Sequence, residues 1–493
     1  VTVTATSQAD TRKSGTATVT IGGSALDRLS GRYVFQLSGF DADGAVNVAG
    51  LFDADGAGNV TNGVLDMNHK AGTLTAIAFT GTYTLGADGR GEMTLSSTLG
   101  TSIYRFALSA DNKIARMVEF DTTGTRTAGE FIEQDAGPFS NTTLTGDYVL
   151  SISGTGSSGR IGAVGKFHAD GAGNLTSGHM DVNDGLPNPP GQSDWSGTYG
   201  LLQNGRGVAV FDVAGVGTLH FMVYVVATDH HFLSKFPYLF LVSTDLASGG
   251  APLLGGQATL AFPGPWDNSA WSATSMLKVF AMAGKLQDGS GATALAGAFA
   301  SDGAGNLQNG VFNENRAGVI SSGSDFTATY DIETSGRGTA VLHLTDTQTL
   351  SIVFYLRTVD EAVLMSTPDP DVLVGTVVGT EGGFVPHDNG ILTGSFAGGP
   401  LAAPLPGMTL LTSMLNFDGA GYFSGTQDIN FSSALMPDQA VSGTYAVGLS
   451  YGVPINVTDG GQAVAYWISA DEAMAISSIN SDVTDPMILV LRK

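Results

Sequence analysis

The sequence predicts an all-β chain of four tandem eight-stranded antiparallel meanders, and three observations carry that expectation. A short stretch, Asp55-Gly56-Ala57-Gly58-Asn59, returns at Asp170 to Asn174, at Asp302 to Asn306 and, altered, at Asp418-Gly419-Ala420-Gly421-Tyr422. The copies are 115 to 132 residues apart, too far for the coils of a solenoid and the right size for a domain that buries its own core. Among 493 residues there are 69 Gly and only 13% charged residues, and the apolar positions alternate with period two, not at the helical period.

Residues 1 to 22 contain two alternating runs joined by a polar turn, the pattern of a β-hairpin. Val1, Val3 and Ala5 share one face with Ala17, Val19 and Ile21, and an isolated hairpin is marginal in water, so this face is a candidate assembly surface. The run resembles the last two strands of a bacterial Ig-like domain. In the first full unit, Tyr33, Phe35 and Leu37 alternate in a first strand, and Val48 to Phe52 lead into the Asp55 turn. Further strands run through Val60 to Met67, through Phe79, Tyr83 and Leu85, through Met93 and Leu95, and over Ser102 to Leu108, Ile114 to Phe120 and Gly129 to Glu133. Short turns link all eight strands.

The other units keep this spacing. An aromatic stands 22 residues before the turn Asp in each: Tyr33, Tyr148, Phe280 and Phe396. A fourth-strand Tyr recurs at Tyr83, Tyr199, Tyr330 and Tyr445, and Gly-Arg-Gly at 89–91, 205–207 and 336–338 but not in the last unit. The expected divisions are a hairpin at 1–23 and repeats at 26–137, 141–262, 272–381 and 390–493, the last divergent. Linkers are expected at 136–143, 249–270 and 382–390, with the long Gly- and Pro-rich middle one as the hinge. Closing each meander into an up-and-down barrel removes its edges, and a two-sheet β-sandwich is the alternative.

A net charge of −24 repels phosphate backbones and anionic lipid, so nucleic acid is not an expected partner, and no apolar run is long enough to span a membrane. The absence of Cys excludes disulfides and thiolate chemistry and, with little Lys and much Gly and Thr, points to an extracellular or bacterial cell-surface location.

The recurring motifs have structural and chemical readings. Asp55, Gly56, Gly58 and Asn59, with Asp170, Asn174, Asp302, Asn306 and Asp418, read as tight hairpin turns that need positive-φ glycines. A calcium loop at Asp53, Asp55 and Asn59 is the weaker reading, because Asp53 becomes His168, Ala300 and Asn416 and no bidentate Glu follows. No cofactor or other metal is expected. Asp66-Met-Asn68, Asp181-Val-Asn183, Asn313-Glu-Asn315 and Asp428-Ile-Asn430 read as Asx turns at strand ends, and Gly-Arg-Gly as a hairpin turn. His168, His179, His220, His230 and His231 gather in the second unit, but a hairpin centred on Ala172 pairs His168 with Thr176 and His179 with Gly165, so those two do not face each other. No nucleophile motif appears, and no enzyme is expected.

The signature Gly-x-Phe-x-x-Asp-Gly-x-Gly-Asn, Gly-x-x-Asp-x-Asn, Phe-Thr-Gly-Thr-Tyr and Gly-Arg-Gly resembles that of bacterial cell-surface proteins in which Ig-like domains are followed by tandem Gly-rich β repeats. The resemblance covers almost the whole chain and implies location and architecture, not an activity. The expected function is therefore an extracellular structural or adhesive protein, assembling into a filament by pairing of its N-terminal strands. The expected partner is another copy of the chain or a neighbouring surface protein. The alternative is a barrel module that binds a small ligand or carbohydrate, with a polysaccharide as the partner.

Overall fold

A computed structural model describes residues 2–6, 14–18 and 24–493, apart from 187–190, 227–237, 265, 272–276, 287–290, 317, 322, 345–347, 368–371, 382–383, 401–407, 432–433, 449–450 and 479–485. Thr2–Thr6 pairs antiparallel with Ser14–Thr18, with Val3 opposite Ala17. Of the expected assembly residues, Val1, Val19 and Ile21 lie outside the described residues.

Each repeat folds as a closed, eight-stranded, antiparallel up-and-down barrel. The first comprises Ser30–Phe40, Ala45–Asp55, Asn59–His69, Gly72–Leu85, Arg90–Ser97, Gly100–Leu108, Ile114–Glu119 and Arg126–Glu133, and the eighth strand closes on the first. The same order recurs from Thr145, Lys278 and Thr393, with a two-residue strand, Val319–Ile320, added to the third barrel. Alternation of small polar and apolar residues builds each wall, and the inward-facing aromatics fill it. In the first barrel Tyr33 lies 5.6 Å from Phe52 and 5.4 Å from Phe131, centroid to centroid, and all three are buried.

The repeated signature explains how each barrel is shaped and sealed. The Asp55 carboxylate accepts from the Ala57 and Asn59 amides at 2.7 and 2.9 Å and from the Asn59 side chain at 2.6 Å, holding a turn in which Gly56 and Gly58 take φ of 72° and 101°. The carbonyl of Gly58 receives the amide of Tyr83, whose ring crosses to one end of the barrel. A single 3₁₀ turn plugs that end, at Ala25–Arg28, Asn141–Thr143, Asn268–Trp271 and Asn389–Ile391. The fourth-strand tyrosines clamp it: Tyr83 donates to Leu29 O at 2.6 Å, Tyr199 to Leu144 O at 2.8 Å, Tyr330 to Trp271 O at 3.2 Å and Tyr445 to Leu392 O at 3.0 Å.

Three sequence expectations need correction. The stretch 249–270 is not a free hinge, because Leu253–Leu260 is the eighth strand of the second barrel and Trp266 and Trp271 are buried in the core of the third. His179 pairs with Lys166, not Gly165, because a β-bulge lies between Lys166 and His168; the pairing of His168 with Thr176 is as expected.

The third correction is larger. The barrels are not independent units separated by linkers but members of a closed ring. The second strand of each barrel, together with its first or third, packs against the sixth to eighth strands of the next, from the first to the second, the second to the third, the third to the fourth, and the fourth back to the first. The arrangement is head-to-tail with pseudo-fourfold symmetry, a heterologous contact that closes. Apolar clusters fill the joints. Leu51 and Ile132 meet Met222 and Phe240, Val164 meets Val353 and Met365, Ala296 meets Met474 and Ile476, and Val118 meets Leu410. These strands are buried on both faces, so Ala45–Asp55 reads as an almost continuous buried run.

Candidate functional site

The Asp-x-Asn and Gly-Arg-Gly motifs meet each other between barrels. Asp66, fully buried at the end of the third strand of the first barrel, accepts Arg206 Nη2 and Nε at 2.7 and 2.8 Å. The hydroxyl of Tyr224 bonds to the same carboxylate. At the next joint Asp181 accepts Arg337 Nε and Nη2 at 2.8 and 2.9 Å and the Tyr355 hydroxyl at 2.7 Å. These fork-on-fork bonds hold both guanidinium groups above their usual pKa, while burial first, and then the adjacent carboxylate, raises both tyrosines.

The other two joints keep the geometry with different groups. Gly452 occupies the arginine position of the fourth barrel, paired across to Tyr466, and the residue facing it from the third barrel is Asn313, whose Oδ1 accepts the Tyr466 hydroxyl at 2.6 Å. The neutral amide stands where a carboxylate would be a buried charge with no cation. Where the ring closes, Arg90 Nη1 reaches Asp428 at 3.3 Å and Asp438 at 2.8 Å, and the tyrosine position is Ala107. A second latch is present at all four joints. The side-chain amides of Asn68, Asn183, Asn315 and Asn430 donate to the next barrel, to Ser243 Oγ at 2.9 Å and to the carbonyls of Ser366, Ser477 and Glu119 at 2.8, 2.7 and 2.6 Å.

The Asx-turn reading was therefore incomplete. Asn183 Oδ1 and Asn315 Oδ1 do accept local amides at 3.0 and 2.9 Å, but the donor ends of these side chains, and Asp181 and Asn313 two residues before them, meet another barrel. Gly-Arg-Gly is a turn, with Gly89, Gly205 and Gly336 at φ of 91°, 86° and 83°, and its arginine is the inter-barrel contact. Sequence reasoning missed this partnership, although a signal was present: the unit lacking the arginine follows the unit whose Asp is replaced by Asn313.

The remaining candidates stay apart. Asp53 is held by Arg32 at 2.6 and 2.9 Å and by Asn62 at 2.8 Å, while both oxygens of Asp55 are engaged by its own turn. Asp170 and Asp302 repeat the Asp55 turn with Asn174 and Asn306, and Asp418 keeps only the backbone bonds. His168, His179 and His220 each bond a separate carboxylate, Asp147, Asp194 and Asp245, at 2.9, 2.8 and 2.7 Å; His230 and His231 lie outside the described residues. Among the described residues no three His, Asp or Glu side chains converge as a metal site.

At the centre of the ring, where all four barrels meet, is a cavity of about 220 Å³. Its lining includes Arg116 and Glu130 from the first barrel, Arg160 from the second, Arg357 and Glu361 from the third, and Ile488 from the fourth. The interior of the third barrel is far tighter, with a void of about 20 Å³. No family model and no curated protein sequence matches the chain.

Proposed function

We propose that the protein is a non-catalytic extracellular structural or adhesive component, in which the barrel ring is a rigid body and the N-terminal hairpin joins one copy to another. The observation that carries this reading is that, among the described residues, Thr2–Thr6 and Ser14–Thr18 pair only with each other. Natural edge strands are usually blunted by charge or Pro, and TVTAT and SGTAT contain neither. The closed barrels offer no long free edge, so strand addition joins hairpin to hairpin between copies and does not insert into a barrel. The alternative of a ligand or carbohydrate held in a barrel lumen has less support, because aromatic and aliphatic side chains pack the four interiors.

The test compares the full chain with a variant beginning at Leu26 by light scattering over a concentration series. The full chain is expected to grow in mass with concentration while the shortened one stays a monomer. Equal association of the two would remove the basis of the proposal.

A further inference from the structure

We propose that the axial cavity is a binding site for a small organic monocarboxylate, with the Arg160 guanidinium as its principal ligand. Arg160 has no carboxylate partner among the described residues: Nη2 makes one long bond to Ala283 O at 3.4 Å, Nε is buried without an acceptor, and no protein acceptor holds Nη1. The side chain is half-buried by accessible surface yet lies deep in the ring, because part of its surface lines the cavity. Burial alone pulls its pKa down to about 10, which leaves it charged at neutral pH. A buried, charged guanidinium with one weak bond calls for a counter-ion.

The repeat points to the same place. Arg160 stands where the other barrels have Ala45, Ala292 and Met408, ten residues before the turn Asp in every case. The other two cavity arginines are exceptions as well. By strand register, Arg116 replaces Phe240, Val363 and Met474, and Arg357 replaces Ser109, Val226 and Ile468. Two of the three are balanced inside the cavity, Arg116 by Glu130 at 2.8 Å and Arg357 by Glu361 at 2.6 Å. One positive charge is left over, in a chain whose net charge is −24.

That single excess charge selects a monoanion over phosphate. The planar fork of a guanidinium matches a carboxylate, and Pro400, Ile488 and Val490 supply an apolar wall for its carbon chain. The volume, about 220 Å³, far exceeds the ~10–15 Å³ that one water occupies. The hairpin plays no part in this site, so the proposal stands or falls separately from strand pairing.

The experiment is thermal melting and calorimetric titration of the full chain with sodium hexanoate, against sodium chloride and inorganic phosphate as controls. Hexanoate is expected to raise the melting temperature where chloride does not, and Arg160→Ala to weaken hexanoate binding at least about tenfold. The alanine is the residue of two sister barrels and relieves an unpaired charge, so the variant's melting temperature without hexanoate is expected not to fall. Arg160→Met, matching Met408, serves if the alanine variant does not fold. Failure of hexanoate to bind, an equal response in the variant, or an equal Arg160-dependent response to phosphate would each overturn the assignment.

Discussion

Glu119 gives the ring a pH dependence at the scale of one residue. It is almost fully buried at the joint between the fourth and first barrels, where its backbone carbonyl receives Asn430 and its carboxyl accepts Thr127 N and Oγ1 at 3.1 and 3.0 Å. Burial, and then the charge of Asp121, raises its pKa to about 7. The unfolded value is about 4.3, so the folded state binds the proton more tightly. Its contribution to stability is full below pH ~4.3 and is lost as pH rises through 7. Urea unfolding at pH 5 and pH 8 should therefore show a loss of about 1–3 kcal/mol at the higher pH, and Glu119→Gln should remove most of that difference. An unchanged slope in the variant would show that other groups control it.

At the scale of elements, each joint docks strands of one barrel against the sixth to eighth strands of the next, and at the first two joints one buried acid is matched to one arginine. Arg337→Ala leaves Asp181 buried beside Tyr355 alone, and should cost about 3–5 kcal/mol in a denaturant titration. Adding Asp181→Asn recreates the pairing that Asn313 makes with Tyr466, and most of the loss should return. If the second substitution adds to the first, the acids are not held by their arginines. The strands themselves could be read from the sequence, because alternation and turn chemistry belong to one stretch of chain. The joints could not, because Asp66 and Arg206 are 140 residues apart and each motif also satisfies a local turn. The bulge beside His168 was equally hidden, since nothing in the alternation marks one extra residue.

At the scale of the whole molecule, the repeat signature divides into two jobs: Asp-Gly-x-Gly-Asn and the fourth-strand Tyr shape and seal a barrel, while Asp-x-Asn and Gly-Arg-Gly join it to the next. The barrel fold was legible because each unit obeys the first set. The ring was not, because a head-to-tail contact repeated three times makes either an open curve or a closed circle. Closure rests on contacts between distant parts of the chain. Arg126 Nη2 meets the Met408 and Asn430 carbonyls at 2.8 and 2.7 Å, and Arg90 meets Asp428. The axial cavity exists only because the ring closes, so the carboxylate site depends on it, whereas the hairpin does not.

Small-angle X-ray scattering from the monomer in dilute solution tests closure most directly. A closed ring of 493 residues should have a radius of gyration of roughly 23 Å, as expected for one compact body of this length. Four barrels strung in a line would give a radius above about 30 Å and a long tail in the distance distribution, and that result would contradict the ring.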